Sequence, residues 1–255
     1  MKPLILITND DGVAAKGLLT LIAVASDFGD VVVMSPERNA SGLSHSITSS
    51  RPLRARELQR EGGVTVNCCD GTPVDCVKLA VEHFCPRQPD LVLSGINHGS
   101  NSSINILYSG TMGAVMEAVT LGFPAIGFSL LNHNPEADFS GCLPSVRQII
   151  ATSLKDGLPT HTALNVNIPR LSAEEIKGIR ICRQAWARWD DSFEKRIDPQ
   201  GRPYWWLTGK FNCPEPPQDS DEWALTHGYV SVVPIHADFT DYNAIEDLKI
   251  ERLKD

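Results

Sequence analysis

Three short apolar runs, each closed by a polar loop rich in glycine and oxygen-bearing side chains, constrain this chain more than any other feature. Residues 4–7 lead into Asn9-Asp10-Asp11-Gly12. Residues 31–34 lead into Ser35-Pro36-Glu37-Arg38-Asn39-Ala40-Ser41-Gly42, and residues 91–93 into Ser94-Gly95-Ile96-Asn97-His98-Gly99-Ser100-Asn101. Continuous apolar runs of this length suit parallel strands buried on both faces. Between and after them lie helical stripes: Leu18, Leu21, Ile22 and Ala25; Val74, Val77, Val81 and Phe84; Met112, Val115, Met116 and Val119; Leu143, Val146, Ile150 and Leu154. Strands alternating with helices imply right-handed crossovers and a doubly wound, mostly parallel, Rossmann-like α/β sheet.

The pattern changes in the last third. Residues 125–130 and 163–168 read as further core strands, the latter closed by Pro169. Residues 179–189 and 204–208 read as the strands of a hairpin-like arm, with Asp198-Pro199-Gln200-Gly201 as its turn. Trp186, Trp189, Trp205 and Trp206 make that arm a candidate dimer contact or a cover for the core edge. Residues 212–221 read as a loop, 229–235 as a strand and 241–253 as a charged terminal helix. The whole chain, 1–255, is expected to form one domain, with an α/β core over 1–170 and the arm, closing strand and terminal helix over 171–255.

The formal charge of −8 over 255 residues gives no electrostatic footprint for long nucleic acid or an anionic membrane. It leaves room for one small anion held locally. No run approaches the roughly 20 apolar residues of a membrane span, and no secretory leader is apparent, so a cytoplasmic location is expected. Seven cysteines without a Cys-x-x-Cys pair fit unpaired thiols in a reducing compartment.

In an open parallel sheet, ligands bind outside the carboxyl ends of the strands, near the switch in strand order. The three polar loops share that edge. Adjacent carboxylates repel, and a cation is the natural way to keep Asp10 and Asp11 both ionised. A hydroxyl from Ser41 and an amide oxygen from Asn97 complete an oxygen set suited to Mg²⁺ or Mn²⁺. The plainer reading of Asp-Asp-Gly is a helix cap or turn. A fourth loop, Tyr108-Ser109-Gly110-Thr111-Met112-Gly113-Ala114, opens a helix of small residues. Ser109 or Thr111 can cap it, and Gly110 lets backbone N–H groups approach a phosphate. Thr72-Pro73 with Asp75 is foremost a helix start, with a substrate-side role for its loop as the alternative.

His45, His98 and His236 fall near the same edge without metal-type spacing, and an ordinary polar role competes with proton transfer at each. Gly-x-Ser-x-Gly, Walker and Gly-x-Gly-x-x-Gly signatures are missing from the sequence, which removes α/β-hydrolases, P-loop NTPases and Rossmann dehydrogenases as leading readings.

Leu6-Ile7-Thr8-Asn9-Asp10-Asp11-Gly12, Pro36-Glu37-Arg38-Asn39-Ala40-Ser41-Gly42, Ser94 through Asn101, Tyr108 through Ala114, the Gly71-Thr72-Pro73 helix start and Gly228-Tyr229-Val230-Ser231-Val232-Val233-Pro234 occur in the order found in the SurE family, which the chain resembles over almost its whole length. These are survival proteins and metal-dependent nucleoside monophosphate phosphatases. The resemblance implies a 5′/3′-nucleotidase with one divalent ion per subunit on Asp10, Asp11, Ser41 and Asn97. It also implies phosphate contacts at Ser109, Gly110 and Thr111, Asn9 beside the metal, and a homodimer or homotetramer. The segment from about residue 185 to 221 is less recognisable, and the pattern varies at His98 and Met112.

The reaction expected on this reading is hydrolysis of nucleoside 5′- and 3′-monophosphates, with Asp10, Asp11 and Asn9 as the catalytic set. Two rivals stand beside it. A receiver-type signalling module also carries an acidic pair after its first strand, but it needs a carboxylate after the third, where this chain has Ser94-Gly95-Ile96-Asn97. A non-catalytic nucleotide sensor on the same fold is the other.

Overall fold

The structure, a computed structural model, describes residues 2–61 and 63–248. Nine strands form one sheet: β1 (Leu4–Thr8), β2 (Asp30–Pro36), β3 (Ala55–Glu61), β4 (Val64–Cys69), β5 (Leu91–His98), β6 (Ala125–Leu130), β7 (Ala163–Ile168), β8 (Ile179–Ile181) and, later in the chain, β11 (Val230–Ile235). Two further strands, β9 (Arg188–Ile197) and β10 (Pro203–Asn212), pair only with each other. The order in the large sheet is β3-β4-β2-β1-β5-β6-β7-β11-β8. The six strands from β4 to β7 run parallel. β3 is antiparallel to β4 at one edge, and β11 is antiparallel to β7 near the other.

Helices cover both faces. On one, α1 (Lys16–Ala25) and α4 (Leu143–Asp156) bury Leu18, Leu21, Val146 and Ile150 against Ile5, Ile7, Leu91 and Leu93. On the other, α2 (Pro73–Leu79) and α3 (Gly110–Thr120) bury Val77, Met112 and Val115 against Leu4, Leu6 and Val92. The strand residues alternate between these two clusters, as the period of two requires. The doubly wound reading therefore holds, and the switch in order falls between β1 and β5.

The α2 start is a capping box: the Asp75 N–H donates to the Thr72 hydroxyl at 3.1 Å, and the Thr72 N–H donates back to the Asp75 carboxylate at 2.9 Å. Past Leu79 the stripe through Val81 and Phe84 continues as one wide helical turn over Ala80–Phe84.

The last third departs from expectation at residues 179–189 and at the terminal helix. Residues 179–189 do not form one strand of the arm. Ile179–Ile181 join the main sheet beside β11, and the arm begins only at Arg188. The cause is Asp221, fully buried at the start of α5 (Asp221–Thr226). Its carboxylate accepts the N–H of Ala185 and that of Ser103, each at 2.8 Å, which pulls the chain out of strand geometry between β8 and β9. Trp186 therefore lies before the arm and is almost wholly exposed, while Trp189, Trp205 and Trp206 sit on the arm itself. The terminal helix, α6 (Tyr242–Asp247), is shorter than the expected 241–253: Leu248 already has extended backbone, and the rest of that span lies outside the described residues.

Candidate active site

The carboxyl ends of β1 and β5 meet at the switch point and carry most of the expected cluster. Asp10 follows β1 and is buried; Asp11 is partly buried beside it. The Thr111 hydroxyl, in the first turn of α3, donates to the Asp10 carboxylate at 2.5 Å. The backbone N–H of Thr111 is directed at the same carboxylate. A Cβ on Gly110 would stand only 2.9–3.0 Å from Asp10 side-chain atoms, so glycine is what lets the helix start press against this carboxylate. The second polar loop is tied in through its backbone: the Ala40 N–H donates to the Asp10 carbonyl at 2.7 Å. That bond sets Ser41, one residue on, at the same edge with an exposed side chain.

Asn97 arrives from β5 after a shift in register against β6 between Ser94 and Asn97. Gly95 makes the shift possible, with φ at +121° and a would-be Cβ 2.3 Å from the Phe128 carbonyl. The Asn97 amide nitrogen donates to the Gly99 carbonyl at 2.9 Å, which leaves its amide oxygen as the atom for a cation. Asn9 is buried between two partners. It accepts from the Ser35 hydroxyl at 2.6 Å and donates to the Gly12 carbonyl at 3.0 Å, so one amide hydrogen remains for a ligand.

Electrostatics set the two carboxylates apart from ordinary ones. Burial pushes Asp10 up to about 6; the Thr111 hydroxyl opposes that rise, and the charge of Asp11 adds to it. Burial also raises Asp11, opposed by the N–H of His98, which donates to it at 3.3 Å. Among the described residues no group of three or more His, Cys, Asp or Glu side chains gathers as a metal centre. A divalent ion here would rest on two carboxylates and neutral oxygens. That donor set fits a hard cation, and the cost of burying Asp10 beside Asp11 is what such an ion offsets.

The helix start offers less than its three residues suggest. The Ser109 hydroxyl is the cap of α3, accepting the Met112 N–H at 3.0 Å, and Thr111 serves Asp10. The N–H of Gly110 has no partner among the described residues and is the open donor.

The histidines turn away. His45 bonds Glu117 at 2.9 Å through Nε2, the ring of His98 contacts the Asn134 carbonyl at 3.0 Å and packs edge-on against Phe139, and His236 lines an apolar cavity behind α3. Two contributors went unread in the sequence. Ser35, given no role of its own at the head of the second polar loop, fixes Asn9. A buried polar network joins Asn101, Ser129, Asn165 and Asn167 behind the third loop, and its signal was the pair of asparagines inside the apolar run 163–168.

Fold and cluster together define a doubly wound α/β protein whose switch point sets paired carboxylates against a helix N-terminus. The sequence matches the family profile described as Survival protein SurE over residues 5–191. It is 51% identical to the 5′-nucleotidase SurE of Flavobacterium psychrophilum over 97% of this chain and 96% of that one. It is 50% identical to the 5′-nucleotidase SurE of Christiangramia forsetii over 100% and 98%. The crystal structure of the SurE protein from Aquifex aeolicus superposes with a TM-score of 0.85 at 39% identity, covering 99% of this chain and 100% of that one. The chain belongs to the SurE family.

Proposed function

We propose that this protein is a divalent-metal-dependent phosphatase that hydrolyses nucleoside 5′- and 3′-monophosphates to nucleoside and phosphate. The observation that carries the reading is the Asp10 carboxylate, buried at the switch point and locked to the first turn of α3 by Thr111. It puts two adjacent carboxylates and an open helix N-terminus at one place, which supports a site for a cation and a phosphoryl group together. The names of the relatives, 5′-nucleotidase SurE, support the substrate class.

Asp10, Asp11, Ser41 and Asn97 are the residues that would hold the ion, Mg²⁺ or Mn²⁺, one per subunit. When bound, such an ion supplies Lewis-acid polarisation of the phosphoryl group and lowers the pKa of a water. The chain's own part is to place and charge the site. The Gly110 N–H and the free amide hydrogen of Asn9 donate to phosphoryl oxygens, whose charge redistributes as the ester bond breaks. Asp11, less buried than Asp10 and raised in pKa, accepts a proton from the attacking water and returns it to the nucleoside oxygen as the P–O bond breaks.

The same reading covers the remaining expectations. No helix among the described residues is long and apolar enough to cross a membrane, and a cytoplasmic location accords with free cysteines. The β9–β10 arm exposes Trp189, Phe193, Trp205, Trp206 and Leu207 and has no sheet partner beyond itself among the described residues, which supports a homodimer or homotetramer built through it.

The test is phosphate release from a panel of nucleoside monophosphates, with Mg²⁺ and Mn²⁺ varied. Release that needs the metal is the expected result. Protein that frees no phosphate from any nucleotide, or from a simple aryl ester, with either ion would end the phosphatase reading and leave a nucleotide sensor.

A further inference from the structure

A cavity of about 510 Å³ opens beside the Asp10 cluster, walled by Arg38, Ala40, Leu43, Arg51, Cys69 and Thr72. We propose that this cavity receives the nucleoside part of the substrate, with the planar guanidinium of Arg38 lying on the base; the inference rests on the phosphatase reading above and specifies its substrate subsite. Four observations carry it.

The first is position. Ala40 lies on the cavity wall, and its N–H is the group bonded to the Asp10 carbonyl at 2.7 Å. The cavity therefore adjoins the backbone that carries Asp10, next to Ser41 in the same loop. The second is size, since the volume falls in the range that holds small ligands.

The third is charge. The lining carries Glu37 and Asp70 as well as Arg38 and Arg51, so it is formally neutral. That suits an uncharged polar group better than a second phosphate. The fourth is how the two arginines are used. Arg51 is committed to its neighbour on the lining: Nη1 stands 3.0 Å from the Asp70 carboxylate, and Nη2 donates to the Asp70 carbonyl. Arg38 has no ion pair or hydrogen bond among the described residues and is exposed. A free guanidinium and the half-exposed apolar Leu43 on the lining of one cavity offer a planar cation and an apolar surface to a flat ring.

The other cavity near the cluster, about 530 Å³, touches it through Ser109. Ser109 already accepts the Met112 N–H, so a ligand there meets the cap of α3 rather than its open donor.

The experiment compares adenosine 5′-monophosphate with para-nitrophenyl phosphate, and measures adenosine binding by calorimetry. For Arg38→Ala, the ratio of kcat/KM between the two esters falls roughly tenfold, the size of one such contact, and adenosine binds more weakly by a similar factor. Arg38→Lys, which keeps the charge and loses the plane, behaves like the alanine variant. Leu43→Trp, which narrows the cavity, gives the same loss. An unchanged ratio with unchanged adenosine affinity overturns the proposal. So does a fall in the ratio caused instead by Met116→Trp, which fills the other cavity. If neither ester is hydrolysed, the phosphatase reading fails separately, and adenosine affinity in the Arg38 variants still decides the pocket.

Discussion

Replacing Asp10 by Asn tests the site through stability as well as activity. The carboxylate is only 3% exposed, and its pKa rises from 3.8 to about 6 on folding. In the unfolded chain the group loses its proton near the lower value. The native state therefore binds more protons between the two values, and stability falls as pH rises through that window. Above about pH 6 the full penalty is present. A shift of about 2 units is worth roughly 3 kcal/mol, at about 1.36 kcal/mol per unit. Asparagine removes the charge and keeps an oxygen that accepts the Thr111 hydroxyl.

Metal-free Asp10→Asn is therefore more stable than the parent by up to about 3 kcal/mol at pH 8, or about 5 °C in Tm for a chain of this size. The gain disappears near pH 4. Thermal melts in a chelator at several pH values read this directly. Adding Mn²⁺ should raise the Tm of the parent, because a ligand that binds only the native state stabilises it by mass action. The same addition should leave the variant nearly unmoved and inactive. A variant less stable than the parent at pH 8, or a gain that does not shrink in acid, would refute the assignment of burial as the dominant force on Asp10. An unchanged response to Mn²⁺ would remove Asp10 from the ligand set.

Three further substitutions probe the neighbours. Thr111→Val deletes the bond that holds Asp10 down, so the carboxyl rises further. The pH below which Mn²⁺ ceases to raise the Tm should then move upward, and an unmoved threshold counts against the Thr111 bond. Gly110→Ala sets a methyl within 3.0 Å of Asp10. Phosphate release should fall at least tenfold, while far-ultraviolet circular dichroism stays the same. Gly113→Ala brings a methyl to 2.4 Å from the Ser44 carbonyl, backbone that cannot swing aside. A loss of about 2 kcal/mol, in the range for overpacking, should outweigh the gain in helix propensity and appear in urea melts; a stabilised variant would show that this helix–loop contact yields.

How far the sequence could be read follows from where its polar residues fall. β1, β2 and β5 are apolar on both faces because helices cover both, so the polar residues that end them mark the binding edge without ambiguity. β3 escaped notice because its sequence, Ala-Arg-Glu-Leu-Gln-Arg-Glu, lies at an exposed sheet edge where no face demands apolar side chains. The histidines resisted assignment for a different reason. At His98 the N–H that meets Asp11 belongs to the backbone, and the ring goes elsewhere, a distinction no residue type encodes.

Asp221 shows the same limit at longer range. As one of the acids at the end of residues 212–221 it reads as part of a loop, yet its carboxylate gathers N–H groups from Ser103 and Ala185, 118 and 36 residues away in sequence. Those two bonds decide where the main sheet stops and the arm begins. On the arm, adjacent Trp205 and Trp206 must point to opposite faces of a two-stranded ribbon, and both are more than half exposed. Among the described residues the ribbon pairs with no other strand, so its own pairing leaves apolar side chains open on both faces. The pattern that looked least regular in sequence is therefore the one that packing among the described residues explains least.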